Sequence, residues 1–232
     1  MNNKMLVFVI PFAGGSSISF SQWKSIDTKV QYIFLDPPGK GSRMNETFVN
    51  TMEEMVFDIK KQIEDYVSAN DVEEYIIMGH SMGGSIAYEI VNLMIEEGKK
   101  PKYVILSATI VPDEFDLQIF NSVVIEDEAF EKYLCDFGLV NEKLIKNVFF
   151  RKTYLLIVKN DYTILTKYVP SAKKRNNVKA IILYGNRDQV SGTGSRLWSN
   201  YFIEEPLYYE FDGGHFFIFD YFDKINEIVE VL

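Results

Sequence analysis

Six short runs of mostly apolar residues recur along the chain, and strand-forming residues are frequent in each. They occupy residues 6–10, 30–35, 75–78, 103–107, 179–184 and 207–211. Apolar residues in an unbroken run, rather than in alternation with polar ones, are typical of parallel strands that are buried on both faces. The pattern therefore predicts a mostly parallel central sheet.

Helical spacing of apolar residues marks the segments between several of these runs. Stripes with intervals of three and four residues cover residues 52–67, 86–94 and 221–232, as expected of helices that bury one face. Thr51 and Glu54 stand at the start of the first stripe in the spacing of a capping box. Strands and helices therefore alternate, which predicts a doubly wound α/β sheet flanked by helices.

One long stretch, residues 111–177, shows no strand pattern and is helical in character. An insertion of this size between two strands is usually a lid or a binding element. We therefore expect a helical lid insertion over about residues 111–177 within a single domain that spans residues 1–232, a length that one α/β core can accommodate.

Charge and cysteine content narrow the classes of function. The net charge of -9 argues against a nucleic-acid partner, which would require an excess of Lys and Arg. The single cysteine, Cys135, suits a reducing compartment, and with only two histidines neither a metal site nor another bound cofactor is expected. Residues 5–13 resemble a signal peptide only weakly because Pro11 interrupts them. We expect a cytoplasmic monomer with no membrane partner.

The run at 75–78 leads into Gly79-His80-Ser81-Met82-Gly83 and then into a helical stripe. Strand, G-x-S-x-G and helix in this order predict a nucleophile elbow, a tight turn that projects the Ser81 hydroxyl above the sheet. The five-residue motif by itself is weak, and its position between a strand and a helix gives it its weight. His80, within the turn, is expected to pack or to form a hydrogen bond rather than to catalyse.

A serine nucleophile requires a base and an acid that orients the base. His215 follows the run at 207–211, and it is the remaining histidine besides His80. Asp188 follows the run at 179–184 and fits the chain order Ser, acid, His. Asp212 is the alternative acid, but it lies only three residues before His215, where the far ring nitrogen is difficult to reach.

Two loops near the start of the chain are rich in glycine. Residues 11–15, P-F-A-G-G, follow the first strand, where this fold supplies an amide to an oxyanion hole. The expected donors are the backbone N–H groups of Met82 and Ala13, with Phe12 as the alternative to Ala13. Residues 36–43, D-P-P-G-K-G-S-R, form a second tight loop, for which a structural role is expected.

Taken together, these motifs resemble the type II thioesterases of nonribosomal peptide and polyketide synthesis, which have the α/β-hydrolase fold. The resemblance extends from P-F-A-G-G through G-H-S-M-G-G and Y-G-N-R-D to G-G-H-F-F, although members usually have Arg where Lys40 stands. It implies catalysis by Ser81, Asp188 and His215. It also implies hydrolysis, in trans, of acyl groups from the phosphopantetheine thiol of carrier proteins.

Other interpretations remain open at this stage. The same scaffold could serve a small-molecule carboxylesterase or a noncatalytic hydrolase-like binding protein. Cys135 is a weaker nucleophile candidate because it lies in the predicted lid without a neighbouring histidine. The basic cluster Lys173-Lys174-Arg175 is either a docking patch for an acidic carrier protein or a solvated charge run at the end of a helix.

Overall fold

The computed structural model describes residues 4–25, 29–114, 127–136, 138, 140–171, 175–191 and 194–232. Its central sheet has six strands in the order β2-β1-β3-β4-β5-β6, and every neighbouring pair is parallel. The strands are β1 (Met5–Ile10), β2 (Val30–Phe34), β3 (Tyr75–His80), β4 (Tyr103–Ser107), β5 (Lys179–Gly185) and β6 (Leu207–Phe211). The mostly parallel sheet predicted from the apolar runs is thereby confirmed.

Helices cover both faces of the sheet, and among the described residues three α-helices lie between β4 and β5. The α-helices of the described residues are α1 (Met52–Ala69), α2 (Met82–Glu96), α3 (Asp127–Asp136), α4 (Glu142–Ile145), α5 (Val148–Leu165) and α6 (Phe222–Glu230). Helices α3 to α5 fall within the stretch for which a helical insertion is predicted. None of the helices in the described ranges combines the length and apolar character required to cross a membrane.

The apolar strands separate two cores because successive side chains point to opposite faces of a sheet. On β1, Leu6, Phe8 and Ile10 enter the core beneath α1, α2 and the helices that follow β4. Val7 and Val9 enter the opposite core, against α6. The fully apolar run of β1 is therefore explained by burial on both sides.

Capping at the start of α1 follows the sequence signature with one difference. The Thr51 hydroxyl accepts a hydrogen bond from the Glu54 N–H, as a capping box requires. The Glu54 carboxylate reaches the N–H of Asn50 instead of that of Thr51. The helix start is thus correctly predicted, while the reciprocal bond is made one residue earlier in the chain.

The direction of chain progression across the sheet reverses at β1. The chain passes from β1 outward to β2 and then returns to β3 on the other side of β1. In open α/β sheets, ligands bind outside the carboxyl ends of the strands that flank such a switch point. The segments that follow β1 and β3, which contain P-F-A-G-G and Ser81, are at this position.

Candidate active site

Ser81 occupies the sharp turn between β3 and α2. Its backbone angles are φ 57° and ψ -121°, a conformation that side-chain-bearing residues rarely adopt and that is typical of strained functional turns. A Cβ at Gly79 would lie 2.0 Å from the carbonyl oxygen of Gly83, and one at Gly83 would lie 2.3 Å from that of Ile10. Both glycines are therefore required sterically, and the predicted nucleophile elbow has a physical basis in backbone packing.

His215 lies in the loop after β6 and faces the serine. Its Nε2 is 2.9 Å from the Ser81 Oγ, and its side chain is almost fully buried. The loop lies close against the end of β5, since a Cβ at Gly185 would be 2.4 Å from the carbonyl oxygen of Gly213. This close approach brings the ends of β5 and β6 together beside the turn that contains Ser81.

Asp188, in the loop after β5, contacts the other ring nitrogen of His215. The His215 Nδ1 is 3.0 Å from Asp188 Oδ2, which also accepts a hydrogen bond from Ser191 Oγ at 2.5 Å, while Asp188 Oδ1 accepts one from Val190 N at 2.8 Å. Burial alone would raise the pKa of Asp188, but the bonds from His215, Ser191 and Val190 outweigh it and lower the pKa to about 2. The carboxylate is therefore ionised at neutral pH.

The alternative acid, Asp212, lies on the surface and points elsewhere. Its carboxylate forms an ion pair with the Arg187 guanidinium, and both side chains are 65% exposed. Asp188 is thus the acid that hydrogen-bonds to His215 in the structure, whereas Asp212 pairs with Arg187.

Ala13 and Met82, whose backbone N–H groups are the predicted oxyanion donors, both line the space next to Ser81 and His215. Within the described part of the chain, neither donates a hydrogen bond to a protein acceptor. Backbone N–H groups that have no protein acceptor and lie beside a nucleophile can stabilise an oxyanion. Phe12, the alternative to Ala13, also borders the site, and its carbonyl oxygen accepts from the Gly15 N–H at 2.8 Å.

His80 is fully buried beneath the site. Its Nδ1 lies 2.9 Å from Ser107 Oγ, and burial lowers the pKa of its imidazole well below the usual value. A neutral, hydrogen-bonded ring below the catalytic turn agrees with the packing role expected from the sequence.

Helices α3 and α5 stand directly over Ser81. Two small cavities flank the serine, with volumes of about 20 Å³ and about 30 Å³. Their walls on the helical side include Leu134, Tyr154, Val158 and Tyr162. Cavities of this size hold one or two water molecules, and these helices supply the apolar wall beside the serine.

The remaining candidates from the sequence are Cys135 and the basic cluster Lys173-Lys174-Arg175. Cys135 is half-buried on α3, where burial and the nearby carboxylates of Glu142 and Asp136 raise the pKa of its thiol, which disfavours a nucleophilic thiolate. Lys173 and Lys174 lie outside the described residues. The guanidinium of Arg175 donates to the carbonyl oxygens of Phe202 and Ile203. This side chain therefore hydrogen-bonds to backbone of the same chain.

The sequence did not indicate two contacts of this site. Ser191 donates to Asp188, and its position three residues after the acid is the signal that could have found it. Asp161 of α5 accepts a hydrogen bond from the Gly14 N–H. No local pattern connects residues that are 147 positions apart.

The sheet order, the strained serine turn and the loops after β5 and β6 define the class of protein, an α/β-hydrolase. The chain belongs to the thioesterase domain family, whose model matches residues 6–232. It is accordingly an enzyme that hydrolyses thioesters.

Relatives of known name extend this assignment. The chain is 25% identical over 236 residues to the probable anguibactin biosynthesis thioesterase AngT of Vibrio anguillarum, covering 96% of this chain and 89% of that protein. It is 20% identical to the gramicidin S biosynthesis protein GrsT of Aneurinibacillus migulanus, covering 94% and 84% respectively.

Solved structures share the fold. ClbQ of the colibactin pathway superposes with a TM-score of 0.85 at 23% identity, covering 98% of this chain and 96% of that one. The type II thioesterase YbtT of the yersiniabactin pathway superposes with a TM-score of 0.85 at 21% identity, covering 98% and 92%.

Proposed function

We propose that this protein is a type II thioesterase that acts in trans on acyl groups bound to the phosphopantetheine arm of carrier proteins in nonribosomal peptide or polyketide synthesis. The observation that carries the proposal is the hydrogen-bonded series Ser81, His215 and Asp188 at the switch point of the sheet. The thioesterase family match and the names of the relatives support the choice of substrate. A cytoplasmic location is part of the proposal, since the single cysteine suits a reducing compartment.

The reaction proceeds in two acyl-transfer steps. His215 takes the Ser81 proton as the hydroxyl attacks the thioester carbonyl, and the backbone N–H groups of Met82 and Ala13 stabilise the oxyanion. The pantetheine thiol departs with a proton from His215, and water then hydrolyses the acyl-enzyme. Asp188 holds His215 in the tautomer that accepts the proton and stabilises its imidazolium form.

Residues 111–177 act as the lid in this proposal. The helices α3 and α5 of that stretch line the space next to Ser81 with Leu134, Tyr154, Val158 and Tyr162. The acyl chain would pack against these side chains when it enters the site. Exclusion of water from the acylation step would follow from that packing.

The test uses intact acyl-loaded carrier protein, with mass spectrometry as the readout for loss of the acyl group. Ser81→Ala and His215→Ala should each lower turnover by about a thousandfold or more while the protein stays folded. The same acyl group on a pantetheine analogue should react more slowly than on the carrier. Retained activity in Ser81→Ala would contradict the serine mechanism, and a preference for p-nitrophenyl esters over both thioesters would indicate an esterase.

A further inference from the structure

A buried ion pair connects the loop after β1 to helix α5. Oδ2 of Asp161 accepts a hydrogen bond from the Gly14 N–H at 2.6 Å and also pairs with the Lys40 ammonium. The side chains of Lys40 and Asp161 are only 3% and 0% exposed. Since desolvation opposes the burial of two charges, such a pair is weak evidence for a role in stability.

The loop that holds Lys40 is itself tied to the segment after β1. The Asp36 carboxylate accepts hydrogen bonds from the N–H and hydroxyl groups of both Ser17 and Ser42. Burial alone would raise the pKa of Asp36, but these four bonds outweigh it and lower the pKa. Lys40 therefore extends from a loop with a fixed position relative to P-F-A-G-G.

Gly14 is the point at which this loop meets α5. Its φ is 81°, and a Cβ there would lie 2.5 Å from Val158 Cγ2, so the backbone lies directly against the helix. The Gly15 N–H closes the turn onto the Phe12 carbonyl oxygen at 2.8 Å. The Ala13 N–H belongs to the same peptide as this Phe12 carbonyl, so the Gly15 bond restrains that peptide. The bond from Gly14 to Asp161 restrains the next peptide, between Ala13 and Gly14. The two bonds together fix the turn from which the Ala13 N–H points.

We propose that Asp161, held by Lys40, is a positioning residue that orients the Ala13 amide toward the oxyanion. The inference rests on the proposed function, because Ala13 matters only if Ser81 attacks a carbonyl. Val158 and Tyr162 of the same helix line the cavity next to Ser81. The helix that contacts the acyl group therefore also orients a donor for the reaction.

Two double variants isolate the hydrogen bond from the charges. Asp161→Asn with Lys40→Met keeps an oxygen for the Gly14 N–H, whereas Asp161→Leu with Lys40→Met removes it. Both variants are neutral at this site, so neither leaves an unpaired buried charge. Substrates are an acyl-pantetheine and a p-nitrophenyl ester, and kcat is normalised to active sites titrated with a fluorophosphonate.

The Leu double variant should have a kcat per titrated site about tenfold below that of the Asn double variant, with little change in KM. Outright loss of an oxyanion donor lowers kcat by about a hundredfold or more, and a donor that is misoriented but present should cost less. The Ki of a trifluoromethyl ketone, whose hemiketal oxygen occupies the oxyanion site, should rise by the same factor. A merely structural role would lower the melting temperature and the number of titratable sites but not kcat per site.

Equal kcat per site in the two double variants would overturn the inference. If either variant fails to fold, hydrogen exchange in the unaltered protein provides the second measurement. The Gly14 amide should exchange at least about a hundredfold more slowly than that of exposed Gly214, and equal rates would also overturn it. An unaltered protein that hydrolyses no thioester or ester would instead contradict the proposed function.

Discussion

Replacement of Asp188 by Asn tests whether Asp188 is the acid that orients His215. The substitution changes the shape of the side chain very little. Oδ1 of the carboxylate accepts hydrogen bonds from the backbone N–H groups of Val190 and Ser191, whereas Oδ2 contacts Ser191 Oγ and His215 Nδ1. An amide has one acceptor oxygen, and the two backbone donors hold it at the Oδ1 position. Its NH₂ group then faces His215 Nδ1, which favours the tautomer with the proton on Nε2.

That tautomer directs a proton toward Ser81 Oγ, which is 2.9 Å from Nε2, so the imidazole can no longer accept the serine proton. The expected loss is about a thousandfold to ten-thousandfold in kcat, equivalent to about 4 to 5.5 kcal/mol of transition-state stabilisation. The assay is steady-state hydrolysis of an acyl-pantetheine thioester at neutral pH, with circular dichroism to verify the fold.

Asp212→Asn is the matched control. It removes the same charge three residues from His215, but the side chain is exposed and pairs with Arg187. Exposed ion pairs contribute about 0 to 1 kcal/mol, so activity should stay within about twofold of the parent. A reversed order of severity, or an Asp188→Asn variant with more than about a tenth of parental kcat, would refute the assignment.

Two further predictions concern stability. Gly79→Ala places a Cβ 2.0 Å from a backbone oxygen and should lower the free energy of unfolding by about 3 kcal/mol or more. Gly214→Ala, with open space at that position, should change it little. Equal urea midpoints for the two variants would contradict this prediction. The folded pKa of Asp188, about 2 against its ordinary 3.8, means that its stabilising contribution is complete well above pH 4 and is lost as pH falls through 2. The difference in the free energy of unfolding between the parent and Asp188→Asn should therefore shrink by about 1 kcal/mol from pH 6 to pH 3. A difference that widens on acidification would contradict this prediction.

Much of the fold follows from the sequence because the local patterns agree with the tertiary structure. The runs at 103–107 and 207–211 are strands with those same bounds. A strand that is buried on both faces is apolar throughout, so its ends are easily distinguished from the polar turns beside it. The turn at Ser81 is also predictable, since adjacent residues produce it and glycine is needed where backbones approach closely. His215 follows from the sequence, because the chain has only two histidines and the other, His80, lies within the serine turn itself.

The choice between Asp188 and Asp212 required more than the local pattern. Both acids precede His215 and follow strands, and only the packing of the loops after β5 and β6 shows which carboxylate faces the ring. The tertiary structure alone brings Asp161 to Gly14 and Lys40. Residues so far apart in the chain share no periodicity and no motif, and their contact depends on how α5 packs over the sheet. The sequence by itself determined the strands, the serine turn and the kind of chemistry, whereas tertiary packing decided which distant charges meet beside it.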